Sequence, residues 1–427
     1  MIQAALIFVV LLAFIFLGFP IYVSAIITAL IFIFAMDIPF NLAVIRMFGS
    51  INSYALMAIP FFIIAGNIMT QSRITDKLIG FANASVGHLK GGLGHVNILA
   101  SGFFGAIQGS GVANASAIGG MMIPAMEKQG YEGDYAVAVT AGSSMLSPIL
   151  PPSIAMILYS FYTETPVSRL FLGGVIPGTI IWISFMVVNG VEYRRRGYKF
   201  ESGITFSFKN LVLTFFKSIG AMIMPLIIIL GIVLGLVTPT ESGVLAIAYG
   251  LIYGFFISKE LKIKHIPKIL LNSAITTAVV MMTIAAAGIL SNVLVRMRVQ
   301  DEVLNFAVNV LQNRYLASFF LMLVFFVVGF ILDPTVLIAM FATIVLSVGS
   351  ALNFDPTHYG VLMIIIMQLG AITPPVGTFL FVSLSIAKLP LEKSIGALMP
   401  YILVIIIISI IILFVPQIVT FLPSMVQ

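Results

Sequence analysis

Residues 136–160 read AVAVTAGSSMLSPILPPSIAMILYS, an apolar stretch that carries Pro148, Pro151 and Pro152. About 20 apolar residues suffice to cross the ~30 Å hydrocarbon core of a bilayer. Each proline removes a backbone donor and clashes with the preceding helical turn. In lipid, an unpaired backbone group costs several kcal/mol. A chain that keeps such a break must fold so that protein or a water-filled cavity receives the freed groups.

The remainder of the chain has the same apolar character. Of 427 residues, 60% are hydrophobic and 8% are charged, against about 25% charged in a soluble protein. The apolar runs are long rather than short and alternating, so a helical polytopic membrane protein is expected. The N-terminal run MIQAALIFVVLLAFIFLGF has no basic start and no small-residue cleavage site, and reads as a first membrane helix rather than a signal peptide. There is no cysteine, which excludes disulfides and thiolate metal sites.

The net charge of +6 does not point to nucleic acid, because ten of the 21 basic residues fall in two short loops. These are Arg194, Arg195, Arg196, Lys199, Lys209 and Lys217, then Lys259, Lys262, Lys264 and Lys268. The positive-inside rule produces such loops and places both on the cytoplasmic side. Spans are expected near 4–18, 21–36, 54–71, 135–160 and 169–191, then 219–237, 243–257, 276–296, 358–386 and 398–419. Some are short, which leaves room for a shifted boundary or a further crossing near the N-terminus.

The two sets repeat. PILPPSIAMILYS (148–160) aligns with AITPPVGTFLFVS (371–383) at an offset of 223, and the same offset carries Pro177 onto Pro400 and Tyr131 onto Phe354. ITDKLIGFA (74–82) matches VQDEVLNFA (299–307) at 225; FPIYVS (19–24) and TPTESG (238–243) match more weakly at 219. Five spans per half is an odd number, so the halves face opposite ways. That is an inverted repeat, as in many secondary transporters. The amphipathic segments ITDKLIGFANASVG and VQDEVLNFAVNVLQ are expected along the interface. Each precedes two half-length apolar pieces: 93–107 and 117–126 joined by QGSGVANAS (108–116), and 316–332 and 335–350 joined at LDPT (332–335). Both pairs read as re-entrant hairpins whose tips meet the broken helices near the midplane.

Candidate chemistry gathers at these tips and breaks. Gly109, Ser110, Gly111, Asn114 and Ser116 allow a turn whose carbonyls could hold a cation and whose helix N-terminus could hold a carboxylate; close helix packing is the alternative role of such small residues. Asp333 aligns with Ser110 and is a carboxylate in apolar surroundings, hence a candidate cation ligand or a helix cap followed by Pro334. Ser143, Ser144, Ser147 and Ser153 flank the first break; Gly370, Thr373, Gly377 and Thr378 flank the second. Their hydroxyls can satisfy freed backbone groups or ligate a hard cation. No cationic side chain falls in either break. Glu241 is either buried or in a loop. His88, His95, His265 and His358 lack metal-ligand spacing, the 22 methionines are filling, and Trp182 is expected as an interfacial anchor.

At GSGVANASAIGGMMIPAM, SPILPPS, LDPT and ITPPVG the sequence resembles the large membrane subunit, DctM or SiaM type, of tripartite ATP-independent periplasmic transporters, over essentially its whole length. The resemblance implies an all-α polytopic membrane protein, an inverted-repeat elevator-type transporter with two re-entrant hairpins and two broken helices, like the ion-transporter superfamily. It implies scaffold segments at 1–72 and 219–298, arm helices at 73–90 and 299–315, transport-domain segments at 91–191 and 316–427, and a cytoplasmic basic connection at 192–218. Sodium would be co-transported, two or more ions per cycle, without an organic cofactor. Partners would be a small four-helix Q-type membrane subunit, expected as a separate polypeptide, and a periplasmic P-type binding protein that delivers an organic acid. Sialic acid is favoured, with C4-dicarboxylates and other carboxylates open. The location would be the bacterial inner membrane.

Carried over by position, one sodium site lies around Ser110, Ser144 and Ser147, and a second around Asp333 and Thr373. Gly109, Gly111, Ser143, Thr335 and Gly370 complete the sodium candidates. The substrate carboxylate would sit between the tips, with Ser110 and Ser153 as leading contacts and Asn114, Ser116, Thr335 and Thr378 beside them. Competing classes fare less well. No Gly-Lys dipeptide exists, so there is no Walker A loop. No H-E-x-x-H motif or serine–histidine pair supports an intramembrane protease. Another permease class or a channel remains the alternative to a symporter.

Overall fold

The structure, a computed structural model, describes residues 2–198 and 205–426, with side chains from residue 6. Lys199 of the expected basic connection lies outside the described residues. Twenty α-helices and no strand occur among those described. The first half contains α1 (Ile2–Phe16), α2 (Ile21–Ala35), α3 (Asn41–Ile51), α4 (Ala58–Gln71), α5 (Ile74–Val86), α6 (Gly92–Gln108), α7 (Gly111–Lys128), α8 (Gly133–Ser144), α9 (Ile154–Thr163) and α10 (Val167–Arg195). The second contains α11 (Phe208–Val233), α12 (Pro239–Ile252), α13 (Ile266–Arg296), α14 (Val299–Asn305), α15 (Arg314–Gly329), α16 (Pro334–Ala351), α17 (Pro356–Leu369), α18 (Thr378–Ala387), α19 (Leu391–Phe414) and α20 (Gln417–Ser424).

Local chemistry explains several of the starts. Asp333–Pro334 and Asp355–Pro356 each place an acidic cap before a proline in the first turn. Thr238 and Glu241 form a reciprocal capping box around Pro239, which leaves Glu241 exposed at the start of α12. The repeat is visible in the backbone. Arg73 and Arg298, 225 residues apart, both adopt left-handed φ (55° and 54°) just before α5 and α14. Glu164 and Lys388 do the same (56° and 55°) just after α9 and α18. Both Pro-Pro pairs, Pro151-Pro152 and Pro374-Pro375, carry cis peptide bonds.

The centre of the molecule is α8 and α17, each buried on all sides from Tyr135 to Ser144 and from Thr357 to Leu369. Helices buried all round form a core rather than a face of one. Around them the halves interlock: α18 packs on α7 and α8, α19 on α8, and α9 on α16. A second group, α1–α4 with α11–α13, packs mainly on itself, and α5 bridges α11 to α6. The entry of α8 is tied to the end of α10. There Arg196 donates to both carboxylate oxygens of Asp134 (2.9 and 2.8 Å), also pairs with Glu132, and lies over the Tyr135 ring.

Among the described residues, six helices are long and apolar enough to cross a membrane, or seven if α3 and Ala55–Gln71, bent by 62°, count as one span. Several sequence expectations change. The helix α3 is absent from the expected spans; FNLAVIRMFGS is short and amphipathic, and Arg46 and Gly49 make it read as a loop. α11 and α13 begin about ten residues earlier than expected, because their apolar faces continue into segments whose lysines resemble a loop. The first joint is Gly109–Ser110 rather than 108–116: the small residues from Gly111 to Ser116 already belong to α7. The second joint is 330–333, and Thr335 lies in the first turn of α16. Trp182 is not a terminal anchor. It sits near the middle of α10, with its ring against Phe103 and its N–H donating to the Ile98 carbonyl (2.9 Å).

Candidate functional site

Each joint is knit to the broken helix of its own half by one main-chain bond. Ile154 N–H donates to the Gly109 carbonyl (3.4 Å), and Val376 N–H donates to the Phe330 carbonyl (3.1 Å). Such approach requires bare backbone. Gly109 has φ +63°, and a Cβ there would stand 2.6 Å from the Pro152 oxygen. At Gly370 a Cβ would stand 2.3 Å from the Gly329 carbonyl group.

Both joints end in a cap. Ser110 Oγ accepts from Ala113 N–H (3.4 Å) at the start of α7. Asp333 Oδ1 accepts from Thr335 N–H (2.8 Å) at the start of α16. The cap uses one carboxylate oxygen, and the hydroxyls of Thr335 and Thr378 lie beside the same carboxylate. The halves meet here too: Gly111 lies so close to the Phe379 ring of α18 that a Cβ would be 2.2 Å from it.

Ser110, Asp333 and Thr335 line two adjoining cavities. The smaller, about 80 Å³, also receives Gly109, Gly111 and Gln368. The larger, about 580 Å³, receives Ser116 from α7 and Thr378 from α18, and Tyr22, Thr276 and Thr283 from α2 and α13. Asp333 is the only Asp, Glu, Lys, Arg or His among the residues lining either cavity. Thr378 Oγ1 is buried beside that carboxylate without a hydrogen bond of good geometry.

The other candidates lie behind this surface. Asn114 is fully buried and donates to the Ser101 carbonyl (2.8 Å) and Ser147 Oγ (2.6 Å), while its own Oδ1 has no partner. Ser143 Oγ donates to Ser101 Oγ (3.0 Å), and Ser144 Oγ to the Thr140 carbonyl (2.7 Å). Asn97 donates to Thr140 Oγ1 (2.7 Å) and completes a polar cluster among α6, α7 and α8. Ser153 Oγ is fully buried: it donates to the Pro148 carbonyl (2.6 Å) and accepts from Met156 N–H (3.2 Å) as the cap of α9. Thr373 Oγ1 donates to the Leu369 carbonyl (2.8 Å), just after the tight turn Gly370–Ile372. Neither Ser153 nor Thr373 lines either cavity.

Several polar residues escaped the sequence reading. Gln368 is a lone amide in the run GVLMIIIMQLGA, where it resembles filling. Thr276 and Thr283 are seven residues apart, hence on one face of α13, and that spacing was the available signal. Asn97, Ser101 and Thr140 lie in helices with no regular polar face to mark them.

Chemically, the surface offers a carboxylate, hydroxyls and an amide. These are hard oxygen donors, suited to an alkali or alkaline-earth cation. The N-termini of α7 and α16, each 18 residues long, open at the same place and favour an anion. Oxygen donors suited to a cation and helix N-termini suited to an anion thus lie on one wall.

The family described as "Tripartite ATP-independent periplasmic transporter, DctM component" matches residues 8–418. The chain is 31% identical to the C4-dicarboxylate TRAP transporter large permease protein DctM of Pseudomonas aeruginosa, over 92% of each chain. It is 30% identical to the sialic acid TRAP transporter large permease protein SiaM of Vibrio cholerae, over 96% of each. Among solved structures it resembles the Alcanivorax borkumensis YdaH transporter, with a TM-score of 0.60, 13% identity and 86% of each chain covered. At that identity the likeness concerns the fold alone.

Proposed function

This chain belongs to the DctM family of tripartite ATP-independent periplasmic transporters, and we propose that it couples sodium entry to the uptake of an organic acid. It is a multi-pass transporter permease subunit and not an enzyme. The observation that carries the proposal is the meeting of Ser110, Asp333 and Thr335 on one cavity wall that holds no cationic side chain.

An organic carboxylate ~4 Å from a bare Asp333 meets a repulsion of about 4 kcal/mol at an effective dielectric of about 20. A sodium ion on the Asp333 carboxylate removes that repulsion and replaces it with attraction. Sodium therefore binds before or with the acid. A second sodium belongs near the polar cluster behind the first joint, where Asn114 Oδ1 lacks a partner. Each sodium ion entering through ~100 mV gains ~2.3 kcal/mol. Two ions with one monovalent acid leave a net inward charge, so membrane potential and sodium gradient both drive uptake.

In this reading the joints, broken helices, α10 and α19 move as one carriage against α1–α4 and α11–α13, with α5 and α14 as arms and the joints as re-entrant tips. A cavity of about 580 Å³ is in the range that holds drug-sized ligands. Its size and hydroxyl-bearing wall favour a sugar acid such as sialic acid over a four-carbon diacid. The acid arrives on a periplasmic binding protein, and a small membrane subunit completes the complex in the bacterial inner membrane.

The test is a ligand screen on the partner binding protein, then uptake of the hit into proteoliposomes containing both membrane subunits. Accumulation that follows an imposed sodium gradient supports the proposal. Equal accumulation with potassium in place of sodium overturns it.

A further inference from the structure

A third cavity, of about 290 Å³, lies in the first half away from the joints. Ala106 of α6, Pro151 of the break and Trp182 of α10 form one wall; Leu78 of α5 and Met222 and Leu226 of α11 form the other. Every lining residue is apolar or glycine, and the one polar atom available, the Trp182 indole N–H, already donates to the Ile98 carbonyl. A buried water needs two to four polar partners, and this wall provides none. The cavity is not sealed. Leu226 is 53% exposed, and Ile223 and Leu230 beside it on α11 also face outward. The cavity is therefore continuous with the apolar surface of a helix long enough to span the membrane.

We propose that this cavity seats one acyl chain of a membrane lipid. Its volume is roughly the share of ten water molecules in the liquid, and so of a similar number of methylene groups. Water exclusion cannot drive entry, because lipid tails are already in an apolar medium. Dispersion drives it: wall atoms facing a void lack contact partners on one side, and a chain supplies them to both walls. Once seated, the chain sets how closely α11 approaches α6 and α10. The site stands independently of the sodium and substrate assignments.

Trp182 is the chain's only tryptophan, so intrinsic fluorescence reports on one wall directly. The full chain is reconstituted in phosphatidylcholine vesicles with dibrominated acyl chains, and the emission is compared with that in unbrominated vesicles. Bromolipid should quench Trp182 strongly in the wild type. Ala106→Phe and Ala221→Leu fill the cavity from opposite walls, and each should lose most of the quenching while keeping the wild-type circular dichroism. If one variant fails to fold, the other decides. Equal quenching in wild type and a folded filled variant overturns the proposal, because Trp182 then senses only bulk lipid. An unquenched wild type overturns it without any variant.

Discussion

Ser110 and Asp333 stand 223 residues apart at equivalent points of the two repeats, each caps the helix that follows its joint, and both line the same two cavities. One contributes a neutral hydroxyl and the other a carboxylate. The repeat is thus similar in backbone and asymmetric in charge, and the proposed pairing of sodium with an organic acid rests on this asymmetry.

Capping and charge at Asp333 can be separated. Asparagine caps about as well as aspartate, whereas alanine loses about 0.5–2 kcal/mol. Thermal unfolding of the purified protein should show Asp333→Asn near wild type and Asp333→Ala destabilised by about that amount. Equal destabilisation of both variants would mean that the carboxylate charge supports the fold itself.

Two glycines should respond differently to alanine. At Gly370 the new Cβ meets Gly329 backbone at 2.3 Å, which cannot yield. At Gly111 it meets the Phe379 ring at 2.2 Å, which has a side chain to adjust. Overpacking costs about 1–3 kcal/mol, and Gly370→Ala should reach or exceed the upper end. Gly111→Ala should be milder, and Phe379→Leu should restore it. Thermal midpoints of the three variants check this order.

The buried amide of Asn114 should be structural as well as functional. The equivalent residue of the second half is Leu337, so leucine fits a helix in this setting. Asn114→Leu nevertheless leaves the Ser101 carbonyl and Ser147 hydroxyl without their donor, at a cost of about 1–3 kcal/mol. Chemical denaturation or thermal melting that moves by only a few tenths of that would show the cluster to be dispensable for folding.

How much was legible in the sequence depended on scale. The paired breaks, the helices that start at Ile74 and Val299, and the offset of 223 were readable because prolines and amphipathic periodicity leave a clear pattern. Local boundaries were less so. Gly111–Ser116 looked like a loop because small polar residues resemble one, yet the Ser110 cap lets them start a helix. Ser153 looked like a group released toward the cavity, but as the cap of α9 it is bound to the Pro148 carbonyl and Met156 N–H. Gln368 was passed over because a single amide in an apolar run has no periodicity to mark it; only the packing of α17 against the second joint brings it to the cavity.

Gln368 gives its own prediction. It lines the smaller cavity beside Ser110 and Asp333, so Gln368→Leu should fold normally and weaken acid uptake about tenfold, the equivalent of ~1.4 kcal/mol. The substrate concentration for half-maximal uptake reads this directly. An unchanged value would make Gln368 a packing residue.

The most direct test of the account is the sodium dependence of acid uptake in proteoliposomes, titrated for wild type and for Asp333→Asn, which keeps the cap and removes the charge. The account predicts steep, voltage-sensitive sodium activation in the wild type, and in the variant a loss of uptake or a large rise in the sodium required. A wild-type sodium response in a folded Asp333→Asn protein would contradict it.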